Sequence, residues 1–357
     1  YGICMSKKVA IITDTHWGAR NDSILFIKFF ERFYKDTFFP KLEAEGVTDI
    51  LMLGDTFDRR KYTSHVTLHQ AKRIFFDEAE KRGIYINMIA GNHDTAFKNT
   101  NSVNSPRLLL QEYNNINVID SPTNILVNGV SIAMIPWICS DNQVESFEFI
   151  KNTNSDICMG HFEIAGFAMY RGMESHEGLD PSIFSKFDTV FSGHYHHKSS
   201  SGHIHYLGNP YELTWQDFAD PRGFHLFDPE TRALEFVENP NTIFNRLEYD
   251  DREGNVPDLD SLDLNECFVR IVVTHKTDFY MFDKFIQKLY TKGCFEIKIM
   301  EDLSEYNEGT VDETIDLEDT MSVLSNYVDS VASEDDNEEI KSFMKTLYTE
   351  ALNEEVV

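Results

Sequence analysis

The chain has 357 residues, 41% of them apolar, and carries 60 acidic against 32 basic side chains for a formal net charge of −28. That length supports one large domain and a smaller one, and with no run of about 18 apolar residues no helical membrane span is expected. The charge argues against a broadly basic nucleic-acid face, since phosphate contacts need Lys and Arg, but it is uneven: residues 301–357 alone hold 18 acidic and 2 basic residues.

Tyr1–Met5 reads as a leader or remnant, too short for a signal peptide. The apolar run Val9–Ile12 reads as a buried strand and leads into Asp14-Thr15-His16-Trp17-Gly18. A helix is expected at about 22–39, with Ile24, Phe26, Ile27, Phe30 and Phe33 on its apolar face. A strand at 48–53 ends in Gly54-Asp55-Thr56-Phe57-Asp58-Arg59-Arg60, and a helix at about 64–82 stops near Gly83. The strand at 84–89 delivers Gly91-Asn92-His93-Asp94, and the alternation of strand and helix predicts parallel pairing.

A polar loop at 97–106 precedes a short helix at about 106–114, and strands near 116–119, 124–128 and 130–135 suggest a meander. After Pro136-Trp137 and a helix near 143–151, a strand ends in Gly160-His161; the loop 162–180, with His176, is long and polar, and such loops are often functional. A strand at 188–192 carries Gly193-His194-Tyr195-His196-His197, and strands near 203–207, 223–227 and 233–237 close the domain. Pro240–Asp263 reads as an acidic connector to a βαβ unit made of Cys267–Val273, a helix at 278–291 and Phe295–Ile299. Residues 301–319 read as a flexible acidic linker. Beyond it, apolar stripes at Met321–Val331 and Ile340–Leu352 predict helices that either enter an intermolecular groove or fold back on their own domain. The five cysteines, Cys4, Cys139, Cys158, Cys267 and Cys294, have no C-x-x-C pair, which fits a reducing cytoplasm and argues against disulfides or structural zinc.

Five polar insertions therefore each follow a strand. Ligands gather at the carboxyl ends of strands in α/β sheets, so these insertions meet at one edge and read as a two-metal site. Asp55, alone at a strand end, suits a bridge between two ions; Asp14 and His16 bind one from a single turn, Asn92 offers a carbonyl oxygen to the other, and His161, His194 and His196 complete the shells. Carboxylate, amide and imidazole without thiolate favour manganese or iron. Ions about 3.5–4 Å apart activate a water and stabilise the leaving oxygen of a phosphoryl displacement. His93 is the candidate to protonate the leaving group or stabilise the transition state. His203 and His205 lie inside an apparent strand, and His65, His69 and His275 sit on surfaces; all five read as structural, while His176 stands between substrate contact and solvated loop. Asp58 reads as holding Arg59 or its loop, and Trp17 and Trp137 as packing.

As a set, Asp14-x-His16, Gly54-Asp55-x-x-Asp58, Gly91-Asn92-His93-Asp94, Gly160-His161 and Gly193-His194-x-His196 resemble the calcineurin-like metallophosphoesterase superfamily over most of residues 8–237. Within it the chain looks like the SbcD-type DNA repair nucleases, through Ile135-Pro136-Trp137, Gly208-Asn209-Pro210 and Asp220-Pro221-Arg222-Gly223-Phe224, and like the T-even phage-type recombination endonuclease subunits, through Tyr170-x-Gly172-Met173-x-Ser175-His176. The resemblance implies an α/β fold: a four-layer αββα sandwich at 1–240, a small α/β capping domain at 241–300, the acidic linker at 301–319 and a helical partner-binding tail at 320–357. It implies a manganese-dependent 3′-to-5′ exonuclease on duplex DNA and endonuclease on single strands, in the host cytoplasm. Asp14, His16 and His196 would hold one ion, Asn92, His161 and His194 the other, with Asp55 bridging and His93 catalytic. The implied partners are DNA, an SbcC-type coiled-coil ATPase gripped by the C-terminal helices, and a second copy docked through helices at about 63–82 and 106–114. One position departs: Asp58 stands where many relatives carry a histidine held to reorient the phosphate during exonuclease action. Asp55-x-x-Asp58-Arg59 also resembles the phosphoprotein phosphatases, the competing enzyme reading, and a non-catalytic scaffold for the ATPase is the third.

Overall fold

The structure, a computed structural model, describes residues 7–170, 173–252 and 256–300. The chain divides into two units, Tyr1–Glu301 and Asp302–Val357; the expected linker and helical tail lie outside the described residues.

Strand Val9–Ile12 pairs in parallel with Asp49–Met52, that strand with Tyr85–Ile89, and that in turn with Ile116–Ile119. Gly223–Phe227 lies antiparallel on the other side of Val9–Ile12, and Leu234–Glu238 forms the edge beyond it. A second six-stranded sheet runs in the order Ser199–Ser201, Ile204–Tyr206, Thr189–Gly193, Ile157–His161, Val130–Ile135, Thr123–Val127. Its centre is parallel and both edges are antiparallel.

Because side chains alternate along a strand, each sheet serves two cores. Val9, Ile11, Leu51 and Leu53 of the first sheet join Ile132, Met134, Ile157 and Met159 of the second in one buried cluster between them. The intervening residues Ala10, Ile12, Ile50 and Met52 pack with the helical aromatics Phe26, Phe30, Phe33 and Phe75. On the far side, Ala133, Ile135, Cys158 and Val190 pack with Ile150, Phe162 and Phe184. Helix, sheet, sheet, helix is the expected four-layer order.

Several elements differ from expectation. The first helix, Ile24–Phe33, passes through a π turn at Tyr34–Phe38 and continues as Phe39–Glu45, ending at Gly46 with φ 64°. The helix expected to end at about 39 continues through Pro40, which lacks only one donor, and the wide turn before it has already displaced the carbonyl ladder. The helix expected at 106–114 is the short Ser105–Leu109, capped by the Asn104 side chain. The predicted polar loop at 97–106 contains a hairpin, Thr95–Phe97 with Thr100–Asn104. There is no meander at 116–135: Ile116–Ile119 belongs to the first sheet and the next two strands to the second.

The acidic connector also hides a strand. Phe244–Asp250 pairs in parallel with Phe268–His275, which pairs in parallel with Glu296–Met300. Helix Phe279–Thr291 covers this sheet, and Leu247, Tyr249, Val269, Ile271, Phe282, Phe285 and Leu289 form a separate core. The buried Glu212 carboxylate accepts the Ile243 and Phe244 N–H groups at 2.7 and 3.0 Å where the chain enters this unit.

Candidate metal centre

Pairing between the first two strands continues past their ends. Asp14 N donates to Gly54 O at 3.0 Å, His16 N to Asp55 O at 3.1 Å and Trp17 N to Thr56 O at 2.9 Å. The two ligand loops are thus zipped together rather than free. To aim their side chains, Asp14, His16, Asp55 and His194 adopt positive φ values of 53°, 42°, 49° and 86°. Asp and His tolerate this region better than most residues, yet it is strained, and such strain concentrates at functional sites. Close approach needs glycine: a Cβ on Gly54 would lie 2.7 Å from His161 Nδ1, and one on Gly193 would lie 2.1 Å from Thr13 Oγ1.

The structure brings Asp14, His16, Asp55, Asn92, His93, His161, His194 and His196 together at the carboxyl ends of strands from both sheets. They form two groups, Asp14 with His16 and His196, and Asp55 with His161 and His194; within each, the ligand atoms lie within 4.8 Å of one another. Asn92 joins the second, its Oδ1 being 2.9 Å from His161 Nε2 and 3.1 Å from His194 Nδ1. Asp55 Oδ2 stands between the groups, 3.2 Å from His161 Nε2 and 3.8 Å from His16 Nε2.

The hydrogen bonds fix which atoms face inward. His161 Nδ1 donates to the Leu53 carbonyl at 2.8 Å, and His16 Nδ1 lies 3.2 Å from Asp58 Oδ1 in an ion-pair contact, so a proton sits on each Nδ1. The Nε2 atoms then face the interior of the cluster: the Asp55 and Asn92 oxygens for His161, and His196 Nε2 at 3.1 Å for His16. Oxygen and imidazole atoms converging in this way, on carboxylates that draw positive charge either as protons on the rings or as cations between them, suit divalent cations. Electrostatics agrees. Burial opposes a charge on His16, yet Asp58, Asp55 and Asp14 together raise it to about 9; burial likewise opposes His161, and Asp55 raises it to about 9. Burial, reinforced by the charge on His161, pushes His194 down to about 3, and burial with His16 and Arg222 holds His196 well below the imidazole range. The carboxylates thus attract positive charge that the imidazoles do not share evenly.

His93 N donates to Asp55 Oδ1 at 2.8 Å, and His93 Nδ1 lies 2.6 Å from the Asp58 carbonyl oxygen, which leaves Nε2 as its exchangeable nitrogen. Trp137 packs against the ligands, with ring centroids 5.3 Å from His194 and 6.0 Å from His161. Trp17 is buried against Tyr34 and Phe30. The other histidines lie elsewhere: His203 meets the Phe184 carbonyl, His205 the Ser200 hydroxyl, and His176 is exposed.

Asp58 differs from expectation. It does not hold Arg59, which bonds Asp22 at 3.1 Å, Asn21 and Tyr62 instead. Its carboxylate backs His16, the arrangement that orients an imidazole ligand and raises its basicity. Two further residues escaped the sequence reading. Asp94, buried, accepts the Thr56, Phe57 and Gly91 N–H groups at 3.0 Å and so ties two ligand loops together; burial and the Asp55 charge lift it to about 6. Arg222, also buried, donates to the His196 carbonyl and to Asn209 while paired with Asp217 and Asp220 at 2.9 and 2.7 Å. The Asp94 position was visible inside its motif; the Arg222 contact spans 26 residues and left no local signal.

The four-layer fold with two adjoining oxygen–imidazole clusters defines a divalent-metal phosphoesterase. Residues 7–198 match the calcineurin-like phosphoesterase family, and the chain belongs to it. It is 32% identical over 314 residues, 87% of this chain and 89% of the relative, to Exonuclease subunit 1 of Enterobacteria phage T4. Among solved structures it is similar to an archaeal phosphodiesterase (10% identity, TM-score 0.34, 65% of this chain and 99% of that one). It is also similar to the Pseudomonas putida nuclease MPE (14% identity, TM-score 0.30, 64% and 86%).

Proposed function

We propose that the chain is a manganese-dependent DNA nuclease, a 3′-to-5′ exonuclease on duplex DNA and an endonuclease on single strands, acting in DNA end processing, recombination and repair. The observation that carries this reading is the convergence of seven ligand side chains and His93 in two adjoining groups. Family membership and the nuclease name of the phage relative support it. Asp14, His16 and His196 would hold one cation and Asn92, His161 and His194 the other, with the Asp55 carboxylate placed between the two groups. Two such ions would supply an activated water and charge stabilisation for in-line displacement at phosphorus. Asp58 and the Leu53 carbonyl keep His16 and His161 in the tautomer that presents Nε2. His93, its Nδ1 engaged by the Asp58 carbonyl, gives a proton from Nε2 to the leaving 3′ oxygen or stabilises its developing charge.

The partner in this reading is an SbcC-type coiled-coil ATPase bound by residues 320–357, and the nuclease pairs with a second copy through the helices near 63–82 and 105–109, where Val66 and Leu108 are exposed. The site of action is the host bacterial cytoplasm. The phosphatase alternative rests on Asp55-x-x-Asp58-Arg59, in which Arg59 is paired with Asp22 at 3.1 Å. The test is cleavage of 3′-labelled linear duplex and of circular single-stranded DNA, with manganese or with chelator, beside a phosphopeptide. Manganese-dependent cutting of both DNAs is expected. Cleavage that persists in chelator, or turnover of the phosphopeptide alone, overturns the reading.

A further inference from the structure

Among the described residues many cations are tied to carboxylates, as Arg59 is to Asp22 at 3.1 Å and Arg73 to Glu31 at 2.7 Å. Arg60 is not. It follows Asp58 by two residues, is half-buried, and has no carboxylate partner among the described residues. Its Nη1 lies 3.5 Å from Thr95 Oγ1, the outer limit of a hydrogen bond, and its buried Nε has no partner. Thr95 Oγ1 itself donates to the Asn92 carbonyl at 3.1 Å. The guanidinium therefore stands against the turn that carries Asn92 and His93. Lys61 beside it, and Lys98 between the two hairpin strands that follow this turn, are exposed and also lack carboxylate partners among the described residues.

Three cations without acidic partners among the described residues gather around the turn that carries Asn92 and His93, in a chain of net charge −28, and a positive cluster there suits an external anion. A guanidinium offers five donors in a planar fork that matches a phosphate, whereas a lysine acts as a point charge. We propose that Arg60 binds a backbone phosphate of the DNA strand lying across the metal centre, with Lys61 and Lys98 engaging further phosphates. This rests on the nuclease reading above, and it gives an acidic protein a local route to a polyanion that its overall charge would repel.

Each phosphate contact releases condensed counterions, so binding to duplex DNA weakens with salt by a logarithmic slope of about 0.9 per contact. The experiment measures kcat/KM for manganese-dependent duplex cleavage across a range of KCl, for the full chain and for Arg60→Gln, Arg60→Lys, Lys61→Gln, Lys98→Gln and the triple glutamine variant. Arg60→Gln is expected to lower kcat/KM about tenfold at moderate salt and to reduce the slope by about 0.9, and the triple variant to reduce it by about 2.7. Arg60→Lys keeps the slope. A merely structural Arg60 would lower the rate at every salt concentration and leave the slope alone, which overturns the inference. The exposed lysine variants test it even if Arg60→Gln folds poorly. If the wild type cuts no DNA, the nuclease reading fails first; if it cuts and all variants share its slope, the inference fails alone.

Discussion

In the metal cleft the chain buries Asp14, Asp55, Asn92 and His161 to between 0 and 6% exposure, whereas residues buried to that degree in the C-terminal sheet and its helix, such as Tyr249, Ile271 and Leu289, are aromatic or aliphatic. The cleft holds like charges together, on strained backbone, at the ends of strands. The C-terminal sheet holds an ordinary apolar core beneath one amphipathic helix. The two sheets of the sandwich carry the cost of the first arrangement, through cores packed on both faces of each strand. The second arrangement needs no such support. The difference teaches that substitutions in the cleft should cost activity and spare stability, and that those in the C-terminal core should do the reverse.

The sharpest way to break this contrast is His93→Asn. Cleavage should fall by about 10³-fold, within the range for losing a general acid, while the thermal midpoint stays within a degree or two. A matching loss of stability would mean that His93 serves the fold. Leu289→Ala should act in the opposite sense, costing about 3 kcal/mol of unfolding free energy in denaturant titration because it empties a fully buried site, with kcat unchanged for the folded fraction. Between these extremes, Asp58→Asn should raise the manganese concentration needed for half-maximal activity about tenfold, as expected when the group orienting a ligand imidazole is weakened. The smallest effect lies at the junction of the two regions. Burial raises Glu212 to about 7 from a usual 4.5, against the pull of its two backbone N–H partners. The folded chain therefore keeps a proton that the unfolded chain has released between pH 4.5 and 7, so stability is highest below that window and declines through it. Glu212→Gln, which still accepts both N–H groups, should flatten the decline by about 1–2 kcal/mol in thermal melts compared at pH 5 and pH 8.

The convergence of the candidate ligands was readable in the sequence because each follows an apolar run, and a run of β-branched and aliphatic residues marks where a buried strand ends. Knowing the strand ends is enough to know that Asp14, Asp55, Asn92, His161 and His194 share an edge. The supporting contacts were not readable in the same way. Arg222 reaches the His196 carbonyl, and Asp94 reaches the Asp55 loop, through tertiary geometry that no local spacing encodes. Asp58 was misassigned because its sequence neighbour Arg59 is the obvious partner, yet alternation along the loop turns the two side chains apart, one to His16 and one to Asp22. The crossing between sheets was missed for a similar reason: Asp120-Ser121-Pro122 has the composition of a turn within one sheet. In Phe244–Asp250 the acidic and basic residues obscured the buried Phe244, Leu247 and Tyr249.

Two cations must be held at once for this chemistry, and their number can be counted. Equilibrium dialysis of the full chain against manganese should find two tightly bound ions per chain, and fewer in Asp55→Asn, whose carboxylate lies between the groups. One ion or none in the wild type, or two in Asp55→Asn with unchanged affinity, would contradict it.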